Sequence, residues 1–177
     1  MYQKTVPFTA VGVYQIGGRL IPQSILAKSA TEFTRAMREI GTYGAALSGL
    51  SFKSPDSPIV PNSVSPAFRE ASISLVIGTP YSNTDRDANI ANQKLMTDTL
   101  IPQLADLIPG GGASYLNEGD PWEPRWQDVF YGKGYDRLLG IKRSYDPESL
   151  LYARTAVGSE SWIERVDGRL CRADVVY

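Results

Sequence analysis

Between Ala71 and Ile77, apolar side chains recur at every second position: Ala71, Ile73, Leu75 and Ile77, with Ser72, Ser74 and Val76 between them. A period of two is the signature of a β-strand, because successive side chains of an extended chain point to opposite faces. A strand of this kind needs partners, and two stretches offer themselves. Val11 to Ile16 reads as a strand that Gly17-Gly18 turns, with Arg19 to Ile21 running extended toward Pro22. Ala45 to Phe52 reads as another. The paired glycines precede neither a helix start nor the Lys-Ser/Thr of a phosphate cradle, so a plain turn is expected there.

Helical patterns lie between these strands. Ser29-Ala30-Thr31-Glu32 has the spacing of a capping box, in which hydroxyl and carboxylate satisfy each other's orphan amides. The helix it opens would place Phe33, Met37 and Ile40 on one face and stop at Gly41. Ser54 to Pro66 holds too many Ser and Pro residues for a regular element. Tyr81 to Thr84 reads as a turn. A second helix is expected from about Asp85 to Ile101, with Ala88, Ala91, Leu95 and Thr99 inward and Pro102 kinking or ending it. Leu104, Leu107 and Ile108 fit one more turn. Gly110-Gly111-Gly112 then reads as a flexible connection to Tyr115, although glycine backbone could also approach a ligand.

From Ser114 to Cys171 the character changes to aromatic residues interleaved with polar ones. Arg125 to Phe130 can form a short helix grouping Trp126, Val129 and Phe130, which Gly132 and Gly134 break. Tyr135 to Ser144 predicts another, with Leu138, Ile141 and Tyr145 on one stripe and Asp146-Pro147 as its stop. Asp167-Gly168 has the composition of a two-residue hairpin turn between Ser161–Val166 and Arg169–Arg172. The predicted class is α+β: an antiparallel or mixed sheet with helices on one face, then a helical return segment and a C-terminal β-hairpin. Two parts are expected, a sheet with helices over residues 1–113 and the return segment over 114–177.

A chain of 177 residues can bury about two-thirds of its surface. Its net charge of −1, with no basic stripe, argues against nucleic-acid binding. One cysteine, Cys171, and no histidine leave no disulfide framework, no His- or Cys-based metal site and no histidine base. No apolar run approaches membrane-spanning length, and Met1-Tyr2-Gln3-Lys4 does not open a signal-peptide pattern. The compartment is left open.

No catalytic constellation is complete by residue type alone. The best candidate is Tyr115 with Asn117, placed by an extended stretch on the same side. An ordinary tyrosine, titrating near pH ~10, is a poor base at neutral pH. It serves as one only where a cation or hydrogen-bond donors stabilise the phenolate. Lys142 and Arg137 are nearby cations in sequence.

The run Tyr115-x-Asn117, Tyr131-Gly132…Tyr135-x-Arg137-Leu138 and Lys142-x-x-Tyr145-Asp146-Pro147 resembles the C-terminal segment of the berberine bridge enzyme-like FAD-linked oxidases, particularly fungal ones. Gly158-Ser159, Trp162 and Asp167-Gly168-Arg169-Leu170-Cys171 fit the same pattern, and Arg19-Leu20-Ile21-Pro22 and Pro66-Ala67-Phe68-Arg69 echo it more weakly. Gly134 departs from it, since the family usually carries Asn there.

The resemblance implies FAD-linked oxidation of a small molecule, with hydride passing to the flavin while Tyr115 takes a proton and Asn117 acts as its flavin-side partner. Both would therefore lie against the cofactor. It also implies that the flavin-binding domain has no counterpart in these residues. This chain alone is then not expected to hold FAD, and a complementing flavin-domain chain is a possible partner. A His–flavin bond cannot come from a chain without histidine. Two other readings stand beside a truncated oxidase: one half of a split enzyme, and a stand-alone, cyclase-like or small-molecule-binding module without flavin. A segment made to lie against a missing domain would also expose Trp122, Trp126, Phe130 and Tyr131 as one apolar face.

Overall fold

The computed structural model describes residues 13–53 and 64–173. The elements are β1 (Tyr14–Pro22), α1 (Gln23–Lys28), α2 (Ala30–Thr42), β2 (Ala46–Ser51), α3 (Ala67–Glu70), β3 (Ala71–Pro80), α4 (Arg86–Leu95), α5 (Ile101–Ala105), α6 (Tyr135–Tyr145), β4 (Trp162–Glu164) and β5 (Leu170–Arg172). They divide into two compact units at Asp120/Pro121. The class is α+β: an antiparallel three-stranded sheet with helices, later helices, and an antiparallel two-stranded hairpin.

In the first unit the alternating stretch becomes the central strand, and the order is β1-β3-β2. Register fixes the two faces. Ile21 lies opposite Ile73, Gly17 opposite Ile77 and Leu47 opposite Ile77, all on one side. There Ile21, Leu75 and Ile77 pack with Ile25, Ile40, Met96, Leu100, Ile101, Leu104 and Ile108. Each such side chain contributes roughly 2 kcal/mol by leaving water. The opposite face carries Ile16, Gly18, Leu20, Ser74, Val76 and Gly78. Leu20 is buried there, outside the helix-side core.

Gly17-Gly18 does not turn the chain. β1 runs straight through both glycines, because tertiary crowding rather than turn geometry selects them. A Cβ on Gly18 would stand 2.3 Å from the Leu75 carbonyl oxygen, and one on Gly17 would stand 2.9 Å from the Met96 sulfur. Val11 and Gly12, at the start of the expected strand, and residues 54–63 of the expected loop lie outside the described residues.

α1 occupies a stretch for which no element was expected. Ser29 precedes α2 as the capping-box reading requires, but its side chain makes no cap bond, and the helix passes Gly41 to end at Thr42. Ile40 and Ala36 are its buried residues, with Phe33 and Met37 packed partly against the core.

The expected inner stripe of the long helix is displaced. Ala91 is exposed, while Met96, Leu100, Ile101 and Leu104 are buried. Within the regular helix the inner side already runs through Ala88, Asn92 and Leu95, and beyond it lies a π-turn over Met96–Leu100, in which the Ile101 N–H bonds the Met96 carbonyl. The widened turn rotates the later residues inward and lets the helix continue past Pro102, whose missing N–H and bulky ring disfavour a regular turn.

The second unit starts with a single π-turn, Gln127–Tyr131, closed by Gly132 at φ +57°. α6 follows. Tyr145 stands 88% exposed and Ile141 is also exposed, so the stripe expected on α6 is not buried. The apolar face expected at the start of this unit is not formed either. Phe130 is buried and Trp126 and Tyr131 are half-buried; Trp122 alone of the four is exposed, beneath the Arg154 guanidinium at 4.8 Å.

β4 and β5 pair as the hairpin reading requires, but through a three-residue loop. Gly168 N–H bonds the Arg165 carbonyl, Arg165 N–H bonds the Arg169 carbonyl, and only Gly168 takes positive φ.

Candidate functional site

The site candidates of the first unit lie where the chain leaves the three-glycine loop. Gly110, Gly111 and Gly112 all adopt positive φ. Gly111 gives its N–H to Ile108 and its carbonyl to the Arg19 guanidinium at 3.1 Å, which ties down the middle of the loop. Arg19 is only 3% exposed and also bonds the Gly18 carbonyl. Next, Leu20 N–H bonds the Ala113 carbonyl at 2.8 Å, tying the loop's exit to the outer edge of β1. Tyr115 is thereby delivered onto the sheet.

Tyr115 is extended, but Leu116–Glu118 forms a 3₁₀ turn instead of the expected extended stretch. The turn still brings the two candidates together: the Asn117 Nδ2 group donates to the Tyr115 phenol oxygen at 2.7 Å. One donor of the kind that favours a phenolate is in place. The Tyr115 ring stands edge-on to Phe68, centroids 5.8 Å apart, and Phe68 stacks obliquely on Phe52 at 6.1 Å. Tyr115 is 39% exposed.

Sequence reasoning missed Glu118. Its carboxylate accepts a 2.9 Å hydrogen bond from Ser74 on β3, and its backbone oxygen would lie 3.2 Å from a Cβ on Gly18. Adjacency to Tyr115-x-Asn117 was the available signal. Asp120 is buried and accepts from Thr97 at 2.6 Å, which anchors the far end of the segment.

In the second unit, Trp126, Tyr131 and Tyr135 form an edge-to-face cluster with centroids 5.4 to 6.1 Å apart. Tyr135 donates to the Glu160 carboxylate at 2.6 Å and accepts from Gly158 N–H. Burial, reinforced by that carboxylate, pushes its phenol well above the ordinary tyrosine range. Lys142 is engaged by Asp146 and by the Leu151 carbonyl. The lysine contact and the Leu151 and Leu150 amides hold the Asp146 carboxyl down at about 2. These groups close the 146–151 loop on α6. Arg137 stands exposed. Gly134 has nothing within 4 Å of a built Cβ, so a longer residue would fit there.

Residues 114–158 match the family described as "Berberine and berberine like". The FAD-linked oxidoreductase sor8 of Hypocrea jecorina (strain QM6a) is 45% identical over 159 residues, covering 89% of this chain and 28% of the relative. The bifunctional decalin synthase calF of Penicillium decumbens is 45% identical over 113 residues, covering 63% of this chain and 20% of that protein. The crystal structure of the VAO-type flavoprotein MtVAO615 from Myceliophthora thermophila C1 superposes with a TM-score of 0.78 at 35% identity, covering 89% of this chain and 30% of that one. The chain therefore carries a berberine-type segment and is related to fungal FAD-linked oxidoreductases, of which it corresponds to the C-terminal part.

FAD is the group these relatives imply, and the residues present fit one part of it. An exposed amide and phenol beside an uncharged sheet face suit the rim of a flat, polar-edged ring, whereas in the glycine loop the N–H and carbonyl of Gly111 are already bonded to Ile108 and Arg19. Among the described residues, no helix is long and apolar enough to cross a membrane.

Proposed function

We propose that this chain forms the substrate-side wall of an FAD-linked oxidoreductase acting on a small molecule, an intermediate of secondary metabolism. The observation that carries the reading is the Asn117–Tyr115 hydrogen bond at the exposed edge of the sheet. Bound flavin would supply the hydride acceptor. The protein's share is to orient the substrate, accept its proton and shape the surroundings. Tyr115 is positioned to take the proton of a substrate hydroxyl or amine. Asn117 steadies the phenolate form that accepts this proton, and lies against the flavin side. The aromatic row of Phe52, Phe68 and Tyr115 is the apolar wall against which the substrate body packs.

The flavin-binding part is supplied by residues other than these, in the same polypeptide or in a complementing chain. The second unit supports this, because Tyr145, Leu150, Leu151 and Val166 stand largely exposed. The test supplies a relative's flavin part in trans and follows flavin reduction in a single turnover. Tyr115→Phe is expected to slow reduction by roughly 10²- to 10⁴-fold while leaving folding intact.

A second reading, a cyclase-like or binding module without redox chemistry, draws on the decalin synthase relative. Absorbance in the flavin bands after reconstitution separates the two: substrate turnover without bleaching of the flavin favours the second.

A further inference from the structure

The face of the sheet opposite the helices carries no charged side chain on any of its three strands. Its open part is Ile16 on β1, Val76 on β3 and Ala46, Ser48 and Leu50 on β2. Tyr14 covers one end, its ring lying 3.1 Å from where a Cβ on Gly78 would stand. The other end is Glu118. One carboxylate oxygen, Oε2, is held by the Ser74 hydroxyl at 2.9 Å, and Oε1 accepts no hydrogen bond among the described residues. Glu118 is half-buried. A neutral hydroxyl fixes its direction without neutralising its charge. The result is a flat, uncharged floor ending in a pinned acceptor, beside the Tyr115–Asn117 pair. Carboxylates form strong hydrogen bonds with O–H and N–H donors and repel other anions.

We propose that Glu118, oriented by Ser74, is a ligand-binding carboxylate that selects flat molecules carrying a hydrogen-bond donor, such as a phenolic or alcoholic hydroxyl, over the same molecules with that donor blocked. The site rests on the reading of Tyr115 and Asn117 as the substrate side, and adds to it a specificity-determining residue, Glu118. The donor that Glu118 binds is distinct from the proton Tyr115 takes.

The test uses the chain without flavin. Amide shifts of Gly18, Val76 and Glu118 are followed while p-cresol or its methyl ether, p-methylanisole, is added to millimolar concentration. The two probes differ only in the donor. The expected result is movement of these three amides and about tenfold tighter binding of p-cresol. Glu118→Gln keeps size and shape. With its carbonyl still accepting from Ser74, it would present an amide N–H where Oε1 had been, so the preference should vanish. Ser74→Ala frees the carboxylate and should reduce the preference without changing the fold. Equal binding of the two probes, a preference that survives Glu118→Gln, shifts confined to other residues, or no binding of either probe would each overturn the proposal. Because no flavin is involved, such a result would leave the Tyr115 rate test standing, and a failed rate test would not decide this one.

Discussion

The Asn117 amide and the Tyr115 phenol oxygen meet at 2.7 Å, with the amide as donor. The phenol oxygen accepts, so its own proton is free to engage a further group, and a donor is already in place when that proton is lost. Two residues of one short turn thus make a unit without help from the rest of the chain. Asn117→Ala should slow flavin reduction by about 10²-fold, as loss of one preorganised donor does elsewhere. It should also lower the flavin retained by the reconstituted complex. Single-turnover reduction and the flavin-to-protein absorbance ratio check this, and an unchanged rate would remove Asn117 from the site.

Gly18→Ala should destabilise the first unit by about 2 kcal/mol or more, since its Cβ must displace the Leu75 backbone oxygen in the adjacent strand. Gly140→Ala is the matched control. It lies within α6 with nothing within 4 Å of its built Cβ, so it should be neutral or stabilise by up to about 1 kcal/mol. Urea midpoints of the two variants decide it; equal effects would contradict the crowding account.

Gly18 also shows what a sequence can and cannot reveal. The central strand was legible because its period of two is a local property of Ala71 to Ile77. Gly17-Gly18 was misread as a turn because the atom that demands glycine there, the Leu75 oxygen, is distant in sequence. The π-turn before Pro102 escaped for a related reason: periodicity assumes a constant rotation per residue, and one widened turn over Met96–Leu100 breaks that period for the residues after it. Tyr115 and Asn117 were legible as a motif. Glu118 was not, since its Ser74 partner lies 44 positions away on another element.

Acid should loosen the 146–151 loop first. Asp146 titrates at about 2 in the folded chain, below the ordinary 3.8. A depressed carboxyl stabilises the fold at pH values above its ordinary pKa and loses that contribution as pH falls through the folded value. The Leu150 and Leu151 amides, which bond this carboxylate, should therefore shift with a midpoint near 2. In Lys142→Met the midpoint should rise toward 3.8, because the lysine contact is the largest cause of the depression. A midpoint unmoved by Lys142→Met would contradict this.

If the exposed apolar residues of the second unit form a contact surface for the flavin part, Leu150→Ser and Val166→Ser should leave the thermal midpoint within about 1 °C. Surface changes away from specific contacts cost within about 0.5 kcal/mol. Their affinity for a separately expressed flavin part should fall at least about tenfold, as truncating central interface residues does. Affinity equal to that of the parent chain would place the contact elsewhere.

The most direct measurement is single-turnover flavin reduction in a chimera. Residues 13–173 would replace the matching C-terminal part of a VAO-type relative such as MtVAO615, with which the chain superposes at a TM-score of 0.78. Flavin content is confirmed by absorbance before mixing with substrate. The account predicts that the chimera reduces its flavin and that Tyr115→Phe, with the same flavin content, does so roughly 10²- to 10⁴-fold more slowly. Reduction by the Tyr115→Phe chimera at the parental rate would contradict it and leave the likeness to flavin oxidases one of fold alone.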